Sequence, residues 1–165
     1  MANDYINKLA VALVNPQIPQ NTGSIARTCA ATKTPLHLIG QLGFEVSEKN
    51  VRRAGLDYWP YVKLSQHEDW DSFCSSERPK RIVPCSTKGA TVHHDFSFKE
   101  GDVLTFGSET TGLGEKFLSK FNPEEIIRIP MDQIEVRSLN LSNAVSIVLY
   151  EARRQLEVKG RTELT

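Results

Sequence analysis

Apolar residues along this chain come in short unbroken runs rather than in strict alternation. LAVALV (Leu9 to Val14) is followed by the turn residues NPQIP, and PLHLIG, RIVPC, DVLTF and EEIIRIP are similar compact runs. Runs of four to eight such residues read as strands buried on both faces. Between them the spacing becomes helical. Asn21 or Thr22 suits an N-cap, after which Ile25, Cys29 and Thr32 share one face, with Ala26 and Ala30 beside them. HEDWDSFCSS predicts a helix that packs through Trp70 and Phe73, GEKFLSKF a short one, and a charged helical stretch is expected between Glu48 and Tyr58. The segment around His93 and His94 reads as a hairpin or loop. The last helix is expected to start near Ser138 and run to Leu156, with Leu141, Val145, Val148, Ala152 and Leu156 as its apolar stripe.

Strands alternating with helices, in a chain with no repeat, linker or low-complexity segment, predict one α/β domain. Its sheet is expected to be mostly parallel, with helices on both faces. A length of 165 residues suits a single core. The formal net charge is zero, so no global field attracts nucleic acid. The basic pairs Arg52-Arg53, Lys80-Arg81 and Arg153-Arg154 read most simply as solvated surface. Cys29, Cys74 and Cys85 form no close pair and are odd in number, which argues against a disulfide framework. No signal-peptide pattern opens the chain, and no run approaches the roughly 20 apolar residues of a membrane span. A reduced, cytoplasmic protein is expected.

Three unusual segments follow strands, where ligands gather in open α/β sheets: NPQIPQNTGS, FGSETTGLG and PMDQIEVRSLNLSN. FGSETTGLG has glycines at 107, 112 and 114, and a carboxylate, Glu109, where a phosphate loop would want a lysine. Glu109 is a turn residue, a helix-capping acid, a partner for Arg27 or a ligand contact. Arg27 either covers the core with its stem or presents a guanidinium to a ligand. Asn21 is a cap or a substrate-orienting amide. Ser138, Asn140, Ser142 and Asn143 around one helix start exceed what a single cap needs. The histidines show no metal spacing, with His37 inside a strand, His67 beside acids and His93-His94 adjacent. Nucleophile-elbow, zinc-protease, Walker A and dinucleotide patterns are all missing from the sequence. These features reach a polar ligand site and stop there.

NPQIPQNTGSIARTCAATKTPLHLIG, LTFGSETTGLG and IRIPMDQIEVRSLNLSNAVSIVLYEA, in that order, resemble the three motifs of the SPOUT-class RNA 2′-O-ribose methyltransferases. LGFEVSEKNVRRAGLDYW is similar to the small one-domain branch that modifies the wobble nucleotide, position 34, of tRNA. The resemblance covers roughly residues 9–160. It implies a methyltransferase domain over 1–160 with a short tail at 161–165, a C-terminal trefoil knot, S-adenosylmethionine as cofactor, no metal, and a homodimer acting on the tRNA anticodon stem-loop. Its target would be the 2′-hydroxyl of cytidine or a modified uridine.

The resemblance implies Cys85, Ser86, Gly107, Glu109, Ile129, Met131, Ser138, Leu139 and Asn140 as cofactor residues, and Arg27, Asn21, Ser138 and Asn140 as catalytic ones. Ser24 stands where asparagine is commoner, and the loop from Met131 to Arg137 is one residue longer than the usual form. Arg52, Arg53, Lys88, Arg137, Arg153 and Arg154 are candidate RNA contacts, and Tyr58, Trp59 and Tyr61 candidate stacking or packing residues. Two alternatives stay open: action on another tRNA or rRNA ribose, and an inactive RNA-binding relative.

Overall fold

The computed structural model describes residues 9–46 and 57–162. The elements run β1 (Ala10–Val14), α1 (Pro19–Ala31), β2 (Leu36–Ile39), a 3-10 turn at Trp59–Tyr61, β3 (Leu64–His67), α2 (Trp70–Glu77) and β4 (Arg81–Pro84). There follow β5 (Thr91–Val92), β6 (Asp102–Phe106), α3 (Glu115–Leu118), a 3-10 turn at Pro123–Glu125, β7 (Ile127–Arg128) and α4 (Leu141–Thr162). The helix expected between Glu48 and Tyr58 falls largely on residues 47–56, outside the described residues.

Five strands form one sheet in the order β3-β2-β1-β6-β4, and every pairing in it is parallel. Alternate residues of each strand enter different cores, which is why the strands read as continuous apolar runs. Val11, Leu13, Leu36, Leu38, Val83 and Leu104 meet the α1 residues Ile25, Ala26 and Cys29 and the α4 residues Val145, Val148, Leu149 and Ala152. Ala12, Ile39 and Val103 point the other way, onto Phe73 of α2. The expectation of helices on both faces therefore holds. Trp70 extends the second face to α3 through an edge-on contact with Phe117, at 4.7 Å between ring centroids.

Several boundaries differ from the sequence reading. β3 was not expected, because LSQH is the sheet's edge strand and needs only a partial apolar face. β5 and β7 make a separate parallel pair, so the expected fifth strand is short and stands outside the main sheet. Its leading Glu124 and Glu125 turn in 3-10 geometry, which Asn122 and Glu125 close with a capping box. α1 starts two residues earlier than its expected cap. Pro19 occupies its first turn, Ile18 is the N-cap without a side-chain bond, and Asn21 and Thr22 lie inside the helix, both buried. α4 starts at Leu141 rather than near Ser138 and runs past Leu156 to Thr162. Asn140 caps it, its Oδ1 accepting the Ser142 N–H at 2.9 Å.

One charged pair is built into this frame. Asp102, at the start of β6 and 1% exposed, receives Arg81 Nε and Nη2 at 2.6 Å each, and the Lys99 N–H at 2.8 Å. The Arg81 guanidinium also lies 5.0 Å from the Phe96 ring centroid. At the far end of α4, Gln155 donates to the Phe96 carbonyl at 2.9 Å and accepts from the Phe98 N–H at 3.1 Å. Beside it, the bidentate Arg154 fork holds the Glu151 carboxyl down to about 2, despite partial burial.

Candidate active site

The carboxyl ends of β1, β4 and β6 lie at one end of the parallel sheet, and the segments leaving them enclose a cavity of about 640 Å³. That is within the range of small-molecule and cofactor sites. Cys85 and Ser86 reach it from the end of β4, Gly107 and Glu109 from the end of β6, and Asn21 from the first turn of α1. Ile129, Met131, Ser138, Leu139 and Asn140 close it from the segment between β7 and α4. All nine residues expected to hold a cofactor thus line one space. So do Asn21, Lys88 and Arg137.

The loop after β6 folds onto itself. Ser108 and Gly112 exchange backbone hydrogen bonds of 3.2 and 3.0 Å, and the Ser108 and Thr111 hydroxyls lie 2.7 Å apart. A Cβ on Gly107 would sit 2.0 Å from the Gly112 carbonyl carbon, so only glycine permits this closure. Gly112 itself has φ +61°, in the left-handed region. The glycines of FGSETTGLG serve to close this compact loop. It presents backbone to the cavity at a distance no side chain would allow.

Glu109 is the capping acid for a helix far away in sequence. Its Oε2 accepts the Gln17 N–H at 2.8 Å, and its Oε1 accepts the Ile18 N–H at 3.0 Å and Asn21 Nδ2 at 3.2 Å. It thereby supplies what α1 lacks in its own sequence, negative charge and acceptors at the N-terminus. Asn21 Oδ1 in turn accepts Asn140 Nδ2 at 3.0 Å. Polarity runs one way along this chain of groups, because an ionised carboxylate only accepts and the Ser142 N–H only donates. Both amides are therefore fixed in orientation between Glu109 and the start of α4. Asn21 and Asn140 are placed by each other, and each is placed by a helix end.

Burial works to raise the Glu109 pKa, but the hydrogen bonds from Gln17, Asn21 and Ile18 outweigh it and hold the carboxyl below its usual value. A depressed carboxyl stabilises the fold above its unfolded pKa, and that stability is lost as pH falls through the folded value. Glu109→Ala should cost about 1–2 kcal/mol at pH 7. Thermal melts of both proteins from pH 7 into the acid range should show the difference shrinking as the wild-type carboxyl protonates. Equal melting temperatures at pH 7 would remove this capping role. Cys85 offers no nucleophile to the cavity, since burial pushes its thiol up to about 12.

The SpoU rRNA Methylase family model matches residues 8–150 of this sequence. The chain belongs to this family. The tRNA (cytidine(34)-2'-O)-methyltransferase of Methylovorus glucosotrophus is 45% identical over 150 residues, covering 91% of this chain and 97% of that protein. A solved structure presented as "Structural insights into the 2-OH methylation of C/U34 on tRNA" superposes with a TM-score of 0.84 at 45% identity, covering 91% and 97% of the two chains. The SpoU methyltransferase AviRb from Streptomyces viridochromogenes, in complex with the cofactor AdoMet, gives a TM-score of 0.80 at 25% identity. That likeness covers 92% of this chain and 62% of AviRb.

Within this SpoU-family fold, one predicted site residue stands apart. Arg27 lies outside the cavity lining, exposed on α1, with its guanidinium 5.7 Å from the Tyr58 ring centroid. Asn21, Ser138 and Asn140 are brought together and Arg27 is not. The expected RNA contacts also divide. Arg154 is engaged by Glu151, Arg153 donates to the Thr32 carbonyl at 3.1 Å, and Lys88 meets Glu115 at 3.3 Å. Arg52 and Arg53 lie outside the described residues. Tyr58 donates to the Gly23 carbonyl at 3.0 Å and packs with Trp59 against the core, whereas Tyr61 is 70% exposed. Sequence reasoning offered a capping role for Glu109 without the helix it caps, and it missed the relay through Asn21. Neither leaves a local signal, because the partners are about 90 residues apart.

Proposed function

We propose that this protein transfers the methyl group of S-adenosylmethionine to the ribose 2′-hydroxyl of nucleotide 34 of tRNA, a cytidine or a modified uridine. The observation that carries this reading is the cavity at the strand ends. It is lined by every residue that the family resemblance assigns to the cofactor, in a chain nearly half identical to a tRNA (cytidine(34)-2'-O)-methyltransferase over almost its whole length. The cavity's chemistry fits the cofactor: closely approaching glycine backbone, apolar Ile129 and Met131, and polar side chains converging from three segments.

When bound, S-adenosylmethionine supplies a methyl group already activated on a sulfonium. The protein's own residues then have to align the ribose and manage its hydroxyl proton. The Glu109–Asn21–Asn140 relay holds two amides rigidly at the cavity, ready to orient the acceptor. Ser138 and Arg137 are exposed on the cavity wall, where they are accessible to an RNA substrate. Arg27 carries a planar, multi-donor guanidinium cation, which is a poor base. Its role is therefore to hold phosphate and stabilise the developing alkoxide, rather than to keep the proton.

The same reading includes a homodimer, a C-terminal trefoil knot and action in the cytoplasm on the anticodon stem-loop. The exposure of Arg27 outside its own cavity supports a site completed by a second copy. So do Ile147 and Tyr150, one turn apart on α4 and 38% and 54% exposed. The close approach of Gly89 to the Ile126–Ile127 backbone, two segments far apart in sequence, supports the knot. Among the described residues, no helix is long and apolar enough to cross a membrane.

Incubating the protein with bulk tRNA and S-adenosylmethionine, then mapping methylated fragments, tests the reaction and its position together. Ribose methylation at nucleotide 34 is expected. Methylation only at another ribose, or none by folded protein that binds the cofactor, would overturn the reading. Sedimentation of the same preparation should give twice the chain mass at low micromolar concentration.

A further inference from the structure

Sequence spacing gave no metal-ligand set, but the fold assembles one on the sheet face covered by α2. His37 of β2 is buried on that face beside Ile39. β2 and β3 pair with His37 opposite Ser65 and Ile39 opposite His67, so His67 lies two residues on and on the same face. Glu77 ends α2 directly above them. His37 Nδ1 and His67 Nε2 are 3.1 Å apart, and His67 Nε2 and Glu77 Oε1 are 3.8 Å apart. One ligand atom from each of the three residues falls within 4.8 Å of the others. Tetrahedral ligands on bonds of about 2.0–2.1 Å are about 3.3 Å from one another. The observed spacings bracket that value, and the widest belongs to the solvent-facing carboxylate.

Hydrogen bonding around His67 decides which nitrogen is available. The Ser76 hydroxyl donates to the Phe73 carbonyl at 3.3 Å, which leaves its lone pairs facing His67 Nδ1 at 3.4 Å. That contact favours the proton on Nδ1 and a bare lone pair on Nε2, the arrangement by which an outer partner orients a ligating imidazole. The bare Nε2 then faces a carboxylate oxygen across 3.8 Å, acceptor against acceptor. Either a proton from His37 Nδ1, 3.1 Å away, or a cation shared with the carboxylate can occupy that lone pair.

The rings cannot turn away easily. His37, His67 and Phe73 pack mutually with centroids 5.1–5.2 Å apart. Side-chain exposure is 8% for His67 and 39% for Glu77, so the two imidazoles are rigid and the carboxylate forms the entry.

We infer that His37 Nδ1, His67 Nε2 and Glu77 form a binding site for a first-row divalent cation of the zinc class. Two imidazoles and one carboxylate suit zinc, cobalt or nickel, whereas magnesium and calcium require oxygen-rich shells. Three protein ligands leave a fourth position to solvent. None of the three lines the strand-end cavity, so the site is separate from methyl transfer and independent of the proposed reaction. Its effect would be to fasten β3 to α2 at the edge of the sheet, where among the described residues no further strand pairs.

The test uses untagged, chelator-stripped full-length protein titrated with Zn²⁺. Long-range nitrogen–proton spectra of the imidazoles should move His37 Nδ1 and His67 Nε2 together, saturating at one zinc per chain, with a rise in melting temperature. Glu77→Gln changes an exposed residue and so keeps the fold. It should weaken zinc binding about tenfold or more, and Ser76→Ala about tenfold through the orienting bond. Mg²⁺ should give no response. Unmoved His37 and His67 resonances in folded protein at saturating zinc would overturn the site. Equal affinity of wild type and Glu77→Gln would likewise assign the binding to other groups, such as His93 and His94.

Discussion

Arg27→Ala should lower single-turnover methyl transfer to tRNA by about 100-fold or more, while the protein stays folded and keeps its affinity for S-adenosylmethionine. That magnitude is the usual consequence of losing a group that assists proton transfer or stabilises developing charge. The structure separates this reading from the simpler one, in which the side chain merely covers the core. Arg27 is exposed on α1 and its guanidinium rests near Tyr58. An exposed cation–π contact contributes only about 0.5–1 kcal/mol, so alanine should leave melting nearly unchanged. Arg27 is also absent from the cavity wall, so cofactor titration should be unaffected. Arg27→Lys restores charge without the planar multi-donor fork and should rescue poorly. A folded Arg27→Ala protein with a near-normal single-turnover rate would remove this residue from the mechanism. Asn21, Ser138 and Asn140 would then be the next to test.

Arg81→Met should destabilise the domain by about 3 kcal/mol, or roughly 6–12 °C in melting temperature for a chain of this size. The reason is what remains. Asp102 is 1% exposed, and without the guanidinium its carboxylate keeps one hydrogen bond, from the Lys99 N–H. An uncompensated buried charge costs far more than the pair contributes when intact. Replacing both members, Arg81→Met with Asp102→Leu, should therefore recover most of the loss. A single Arg81→Met variant melting within about 2 °C of wild type would show that water reaches Asp102 well enough to replace the arginine. Because Asp102 begins β6, whose other end carries Gly107 and Glu109, loosening it should also weaken cofactor binding. Surface pairs such as Lys88–Glu115 sit on no such strand, and breaking them should cost well under 1 kcal/mol.

Much of the architecture was legible along the chain, for a local reason. A strand buried on both faces cannot alternate apolar and polar residues, so AVALV and DVLTF announce a parallel sheet covered on both sides. The α4 stripe of Val145, Val148 and Ala152 has helical spacing wherever its partner lies, and all three are buried. The polar loops after the strands, and the three ordered motifs within them, named the cavity residues before any distance was known. Elements with little periodicity stayed hidden. LSQH is an edge strand with modest apolar demand, and Thr91–Val92 is too short to show a pattern.

Tertiary structure alone decided the remaining features, since each joins residues that sequence separates. An N-cap is normally sought within a few residues of its helix, yet α1 is capped by Glu109 from a loop about 90 residues later. That one contact selects the capping role among several that the glycine loop left open, and it fixes Asn21 and Asn140 as a relay. Arg27 and Asn21 are six residues apart on one helix, but only Asn21 faces the cavity, because the register of α1 against the sheet turns Arg27 outward. His37, His67 and Glu77 carry no metal spacing in the chain, and they meet because parallel pairing sets β2 beside β3 and α2 returns over both. The sequence determined most of the strands and helices and the ligand loops, through local periodicity and motif. Which side chains share a site depended on strand register and helix rotation, and those follow from the packing of the whole domain.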